Sequence, residues 1–126
     1  MKYLSFFLWL LALHSFTVAL FLIFLNEEGI RYFGFNGGNP FFQVQGGVFH
    51  IVMCGAYILA AIDPGSCRKL IIFIIGAKTI ALVYLLVYYF FIDGITMVLV
   101  SGLADGMMAL IVFLLWKKDK AGVRYG

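Results

Sequence analysis

The chain has 126 residues, of which 64% are hydrophobic and 12% are charged. Soluble globular proteins carry about 25% charged residues, so this composition excludes a soluble domain and indicates an integral membrane protein. The net charge of +3 does not indicate nucleic-acid binding, because the basic residues cluster at predicted helix ends, where anionic headgroups account for them. Cys54 and Cys67 fit neither a disulfide framework nor a metal site, and we expect two unpaired thiols.

Four apolar runs predict four membrane-spanning helices, over residues 3–25, 40–62, 70–92 and 95–116. Each run reaches or exceeds the roughly 20 residues that cross a bilayer. These spans use most of the chain and leave no room for a soluble catalytic domain. We therefore predict one transmembrane domain over residues 1–126, folded as an all-α antiparallel four-helix bundle.

The first apolar run differs from a secretory signal. The apolar region of a signal peptide has about 7 to 15 residues and ends at a small-residue cleavage site. This run continues through residues 21–25 into Asn26, Glu27 and Glu28 without such a site. We therefore expect a retained transmembrane helix.

The connections between the runs carry most of the helix-ending signals. Residues 26–39 mix charges with aromatic side chains, which predicts a loop at the membrane interface or, alternatively, a lid over a cavity in the bundle. Asn39 followed by Pro40 predicts an N-cap and a proline at the first helical position. Residues 63–65, Asp-Pro-Gly, should end that helix, and residues 117–126 form a polar, basic cytoplasmic tail.

The distribution of basic residues predicts the orientation of the chain in the membrane. Seven Lys and Arg residues lie at the N-terminus, in the 63–69 loop and in the tail, whereas the other two loops contain only Arg31. Cytoplasmic loops carry an excess of Lys and Arg. Both termini should therefore be cytoplasmic.

One face of the second predicted span carries polar and small residues. Gln43, Gly47, His50 and Cys54 recur at i, i+4, i+7 and i+11, and Tyr57 continues the stripe. Small residues at such positions allow close helix approach, and polar residues bond to neighbouring helices because lipid cannot satisfy them. We expect this face to point into the bundle, either as a packing stripe with one satisfied histidine or as part of a functional site.

The third and fourth spans each carry one charge inside an apolar run. Lys78 and Asp105 lie within roughly 6 Å of each other in depth, counted from the turn that joins the two helices. Neither charge is stable in lipid, so the two should face inward and contact each other. Gly102 and Gly106 bracket Asp105 with a small-xxx-small spacing that lets a partner helix approach closely.

Each predicted span contributes one ionisable group at a similar depth. Counted from the cytoplasmic ends, His14, His50, Lys78 and Asp105 all lie roughly 14 to 18 Å into the membrane. We expect a buried polar centre formed by these four residues. Such a centre is either a functional site or a structural lock on helix register.

Several short motifs support a family resemblance. They are Ala60-Ala61-Ile62-Asp63-Pro64, Arg68-Lys69, Gly76-Ala77-Lys78, and Gly102 with Asp105. In this order, from Phe41 onward, the chain resembles the small four-helix bacterial membrane proteins that are DoxX-like in broad architecture. The resemblance implies a bundle in a bacterial inner membrane and, for some members, association with respiratory or redox complexes. It carries no catalytic residue over to this chain.

Three classes of function fit these patterns. The first is a small non-catalytic subunit, without enzyme activity or cofactor, that packs against other membrane protein subunits and the lipid bilayer. The second is a proton-coupled carrier or a protein that binds a quinone or another small molecule, with Asp105, Lys78 and His50 lining the cavity. The third is a small b-type cytochrome, because His14 and His50 lie at equal depth on separate helices, as two axial haem ligands need.

Overall fold

The computed structural model describes the backbone of residues 1–123 and the side chains of residues 1–120. In this part of the chain the only regular structure is helical, which confirms the all-α class. The helices are α1 (Lys2–Phe24), α2 (Glu27–Tyr32), α3 (Pro40–Ile62), α4 (Arg68–Phe91) and α5 (Thr96–Val123). By length and composition, α1, α3, α4 and α5 are each able to cross a membrane.

Local capping interactions determine where α3 begins and how the turn after it is built. The side chain of Asn39 accepts a hydrogen bond from the Phe41 N–H at 3.0 Å, and Pro40 occupies the first turn, as the sequence predicted. After α3, Asp63 Oδ1 accepts a hydrogen bond from the Ser66 N–H at 3.1 Å. Hydrogen bonds from the Ser66 side chain and backbone hold the pKa of the exposed Asp63 carboxyl below its ordinary value.

The connection over residues 26–39 contains a helix that the sequence prediction missed. Asn26 caps α2 by accepting a hydrogen bond from the Gly29 N–H at 3.0 Å. Glu27 and Glu28 lie in the first turn, where carboxylates interact favourably with the helix dipole. The interpretation of the whole segment as a loop is therefore corrected, because these local interactions stabilise one short helix inside it.

The boundary of the C-terminal tail also differs from the prediction. The sequence predicts a separate tail at residues 117–126, whereas α5 continues without a break to Val123. Lys120 Nζ lies 3.8 Å from the centroid of the Trp116 ring one turn earlier, a cation–π contact that favours helix in this stretch. Polar lysines do not end a helix, so the change in composition at residue 117 did not mark its end. Residues 124–126 lie outside the described part.

The long helices associate as two pairs, and α1 with α3 forms the first. Ser5 Oγ donates a hydrogen bond to the Ala61 carbonyl at 2.6 Å, near the start of α1 and the end of α3. Gln43 Nε2 donates to the Leu22 carbonyl at 2.6 Å, near the end of α1 and the start of α3. The start of each helix therefore lies beside the end of the other.

Glycine residues bring the helices of each pair into close contact. A Cβ atom at Gly47 of α3 would lie 2.6 Å from Ile23 Cγ1 and 3.0 Å from the Ala19 carbonyl oxygen of α1. In the second pair, α4 with α5, a Cβ atom at Gly106 would lie 2.8 Å from Leu82 Cδ2. A side chain at Gly106 would require the Leu82 side chain to move, whereas one at Gly47 would also press on the backbone of α1.

A similar contact holds the second pair together one turn away. A Cβ atom at Gly102 of α5 would lie 3.1 Å from Leu85 Cβ of α4. Gly102 contacts Leu85 and Gly106 contacts Leu82, so α4 and α5 run in opposite directions at this contact. The small residues that bracket Asp105 therefore line the contact with α4.

The apolar core shared by all four long helices lies at one end of the molecule. This is the end where α1 and α4 start and where α3 and α5 end. Its buried members are Leu4, Leu8, Leu11, Ala12, Cys54, Tyr57, Ala60, Ala61, Ile71, Ile74 and Val112. No residue of α4 after Lys78 is buried. The two helix pairs therefore share a core at one end and are less tightly joined toward α2.

Candidate functional site: the Lys78–Asp105 centre

The centre of the molecule contains an ion pair between α4 and α5. Lys78 is 5% exposed, and its Nζ lies 2.5 Å from Asp105 Oδ1. The same Nζ lies 5.7 Å from the centroid of the Tyr57 ring on α3. Each charge neutralises the other, which is the condition for keeping either one inside an apolar environment. Lys78 thereby joins the second helix pair to the first.

The position of the ion pair coincides with the edge of the shared core. Lys78 is the last buried residue of α4, and Tyr57, which is 2% exposed, belongs to the core. From Lys78 toward α2, the buried small residues make contacts within one helix pair, such as Ala19 of α1 with Gly47 of α3. The charged pair therefore lies where close packing between the two pairs ends.

His50 is held by a serine of α1. Ser15 Oγ lies 2.9 Å from the His50 carbonyl oxygen and 3.1 Å from His50 Nδ1. A hydroxyl has one proton, and donating it to the carbonyl leaves Nδ1–H as the donor of the second bond. We therefore assign the Nδ1–H tautomer, in which Nε2 is the free acceptor of the imidazole. Sequence reasoning missed Ser15, although it continues the helical spacing of Leu8, Leu11 and Ala12.

We expect Ser15→Ala to lower the free energy of unfolding by about 1 kcal/mol, because it removes both bonds to His50 inside the first helix pair. Denaturant unfolding of the purified protein in detergent measures this change. Thr17→Val is the matched control, because the Thr17 hydroxyl donates only to the Leu13 carbonyl of its own helix, at 2.9 Å. An equal effect of the two substitutions contradicts a specific role for Ser15.

His14 departs from the predicted buried centre. Its side chain is exposed, and none of the described residues forms a hydrogen bond with it. Successive residues of an α-helix are rotated by about 100° around its axis. Ser15 faces α3, so the adjacent His14 points in a different direction. The expectation that all four ionisable residues are buried together is therefore corrected. The structure joins Lys78 with Asp105, holds His50 against α1 and leaves His14 at the surface.

Two polar atoms of the centre have unused hydrogen-bonding capacity. Asp105 Oδ2 and the Tyr57 hydroxyl have no hydrogen-bond partner among the described residues. Neither atom is fully enclosed, since Asp119 Oδ2 is the one enclosed side-chain polar atom in the described part without a partner. Lys78 also retains two N–H donors beyond the one directed at Asp105. The centre therefore offers both donors and acceptors to a small polar group.

Two surface cavities lie away from this centre. One of about 450 Å³ lies between α2 and the α4–α5 turn, and its lining includes Phe33, Asp93 and Thr96. None of the four predicted polar-centre residues lines it. The segment around α2 therefore lies beside the α4–α5 turn, but the cavity there does not extend to the ion pair. In the described part, no group of three or more His, Cys, Asp or Glu side chains is arranged to hold a metal ion.

The fold and the buried ion pair define a coarse class. The protein is all-helical in its described part, and four of its helices are long and apolar enough to make it compatible with a multi-pass membrane protein. The chain matches no protein-family model, no curated protein and no solved structure.

Proposed function

We propose that this protein is a small non-catalytic subunit of a larger assembly in a bacterial inner membrane. The observation that carries the proposal is the position of the shared core, which joins the two helix pairs at one end only. A bundle whose two helix pairs share a core at one end only leaves helix surfaces in its other half for other membrane proteins to cover. The resemblance to DoxX-like proteins is the basis for naming respiratory or redox complexes as candidate assemblies.

The proposal includes an antiparallel four-helix bundle with both termini in the cytoplasm. Hydrogen bonds at both ends of the α1–α3 pair support the antiparallel order. The exposed basic residues of the described part, apart from Arg31, lie at the end that contains the shared core: Lys2, Arg68, Lys69, Lys117, Lys118 and Lys120. This asymmetry supports a cytoplasmic location for that end.

Extraction in a mild detergent, followed by a native gel and identification of co-migrating proteins, tests the subunit proposal. We expect the chain to migrate with at least one other integral membrane protein in a constant ratio. Harsh detergent should release it, because few of its helix surfaces are covered by its own core. Migration as a lone monomer or homo-oligomer from native membranes contradicts the proposal.

A proton-coupled carrier or small-molecule-binding protein is the second candidate. It is favoured by the free atoms Asp105 Oδ2 and Tyr57 Oη and by the free acceptor His50 Nε2, which offer binding capacity near mid-membrane. A quinone headgroup supplies acceptors for the free Lys78 N–H donors, and its quinol form supplies O–H donors for the free acceptors. Solute uptake by the purified protein in liposomes, lost in Asp105→Asn, would establish this function in place of the first.

The b-type cytochrome hypothesis has the least geometric support. Two axial imidazoles must face each other across the porphyrin plane. His50 keeps Nε2 free for an axial bond, whereas His14 lies on an exposed side of α1. A Soret band in protein purified without added haem would favour the cytochrome over the other two candidates.

A further inference from the structure

One line of seven residues along α1, which we call the His14 seam, differs chemically from the other apolar surfaces of the bundle. Residues on this seam recur with alternating spacings of three and four, the pattern by which one helix packs along another. All but the partly buried Phe7 are exposed. The seam consists of Tyr3, Phe7, Leu10, His14, Thr17, Phe21 and Phe24.

His14 is the unusual member of this seam. It lies 12 residues after Lys2, roughly 18 Å along α1, which is near the middle of a 30 Å hydrocarbon core. Lipid chains provide neither a hydrogen-bond donor nor an acceptor. An exposed imidazole at this depth therefore has both ring nitrogens unsatisfied unless another polar group reaches it.

Other exposed polar side chains in the long helices do not have this problem. The hydroxyl of Thr17 donates to the Leu13 carbonyl at 2.9 Å, and the hydroxyl of Thr79 donates to the Ile75 carbonyl at 2.8 Å. Gln45 lies five residues after Pro40, roughly 8 Å from the start of α3, where its amide is near the polar headgroups. Among these residues, His14 alone combines mid-membrane depth with the lack of a described partner.

We propose that the His14 seam of α1 is the contact surface for a transmembrane helix of a partner protein. That helix presents a carboxylate, hydroxyl or amide side chain to the His14 imidazole near the middle of the membrane. A neutral imidazole has one donor and one acceptor, so each of these groups complements it. Polar side chains join membrane helices in this way, and the aromatic residues of the seam supply the surrounding contact area. This inference rests on the proposed subunit function.

The test combines substitutions in full-length protein with crosslinking from defined faces in native membranes. We expect His14→Leu to reduce the amount of co-purified partner by roughly 3- to 20-fold, the range that hydrogen bonds between membrane helices imply. The melting temperature of the purified chain should not fall, because His14 has no described partner in its own chain. Thr79→Val, which removes a hydroxyl already bonded within α4 and outside the seam, should leave the partner's yield unchanged.

A photoreactive residue at Leu10 or Phe21 should crosslink to the partner, and the same residue at Ile80 of α4 should not. The crosslinked peptide should come from a membrane-spanning segment with a polar residue within one helical turn of the attachment site. Crosslinks to a second protein from Ile80 alone, with no effect of His14→Leu, overturn this surface but leave the subunit function intact. Crosslinks between two copies of this chain overturn the hetero-partner, and no crosslink from either helix contradicts the subunit function itself.

Discussion

Lys78→Met is expected to lower the free energy of unfolding by about 3 kcal/mol or more, the largest effect of any single substitution considered. The substitution leaves the Asp105 carboxylate without its counter-ion in an apolar environment. It also removes the cation beside the Tyr57 ring. Equilibrium unfolding in detergent, monitored by helical circular dichroism, measures the change at neutral pH.

The double variant Lys78→Met with Asp105→Leu separates the pair interaction from simple loss of side chains. Replacing both members with apolar residues removes the uncompensated charge, so the double variant should be more stable than Lys78→Met alone. Thr79→Val is the matched control on the same helix, because the Thr79 hydroxyl bonds only to the Ile75 carbonyl. If the double variant is destabilised by the sum of the two single effects, the ion pair does not contribute as proposed.

Gly47→Ala is expected to have the second largest effect, a loss of about 1 to 3 kcal/mol. The new methyl group would lie 2.6 Å from Ile23 Cγ1 and 3.0 Å from the Ala19 carbonyl oxygen. Ile23 has rotamers available, but the backbone of Ala19 moves only if α1 moves away from α3. The same unfolding measurement should show this loss.

Gly55→Ala provides the control for the effect of alanine on α3 itself. A Cβ atom at Gly55 meets no heavy atom within 4 Å. Alanine favours helix over glycine by up to about 1 kcal/mol, so Gly55→Ala should be neutral or stabilising. Destabilisation by both substitutions to the same extent would refute the close α1–α3 contact at Gly47 as the cause.

The long helices were predictable because a long apolar run is a simple signature. Uninterrupted apolar runs of about 20 residues place α1, α3 and α4 within two residues of their observed bounds and α5 within one residue of its start. The short helix α2 and the last turns of α5 were not predicted. Both depend on local capping and side-chain contacts, such as Asn26 with Gly29 and Lys120 with Trp116, which composition does not show.

The sequence predicts how far along each helix the site residues lie, but not which side of each helix faces the bundle. Counting residues along each span places Lys78 and Asp105 at matching levels, and the two charges have a strong reason to meet. The same count places His14 at that level but does not say which side of α1 faces the bundle. In α1 nearly every position is apolar, so the sequence provides no amphipathic pattern from which to infer the exposed face.

The sequence also does not predict at which end of the molecule the shared core lies. Apolar residues occupy both halves of α4, yet Ile71 and Ile74 are buried whereas the apolar residues after Lys78 are not. In a membrane protein, apolar side chains suit lipid as well as a protein core, so composition does not separate the two environments. The weaker association of the helix pairs toward α2 follows only from the contacts between them.

The intact mass of the protein's native particle tests the account most directly. The particle is extracted together with its surrounding lipid and weighed by native mass spectrometry, without prior exposure to harsh detergent. We predict a mass well above the 14.1 kDa of one chain. Collisional activation in the spectrometer should release a second membrane protein that is present in a fixed ratio to this chain. A mass equal to one chain, or to a whole-number multiple of 14.1 kDa, contradicts the subunit function.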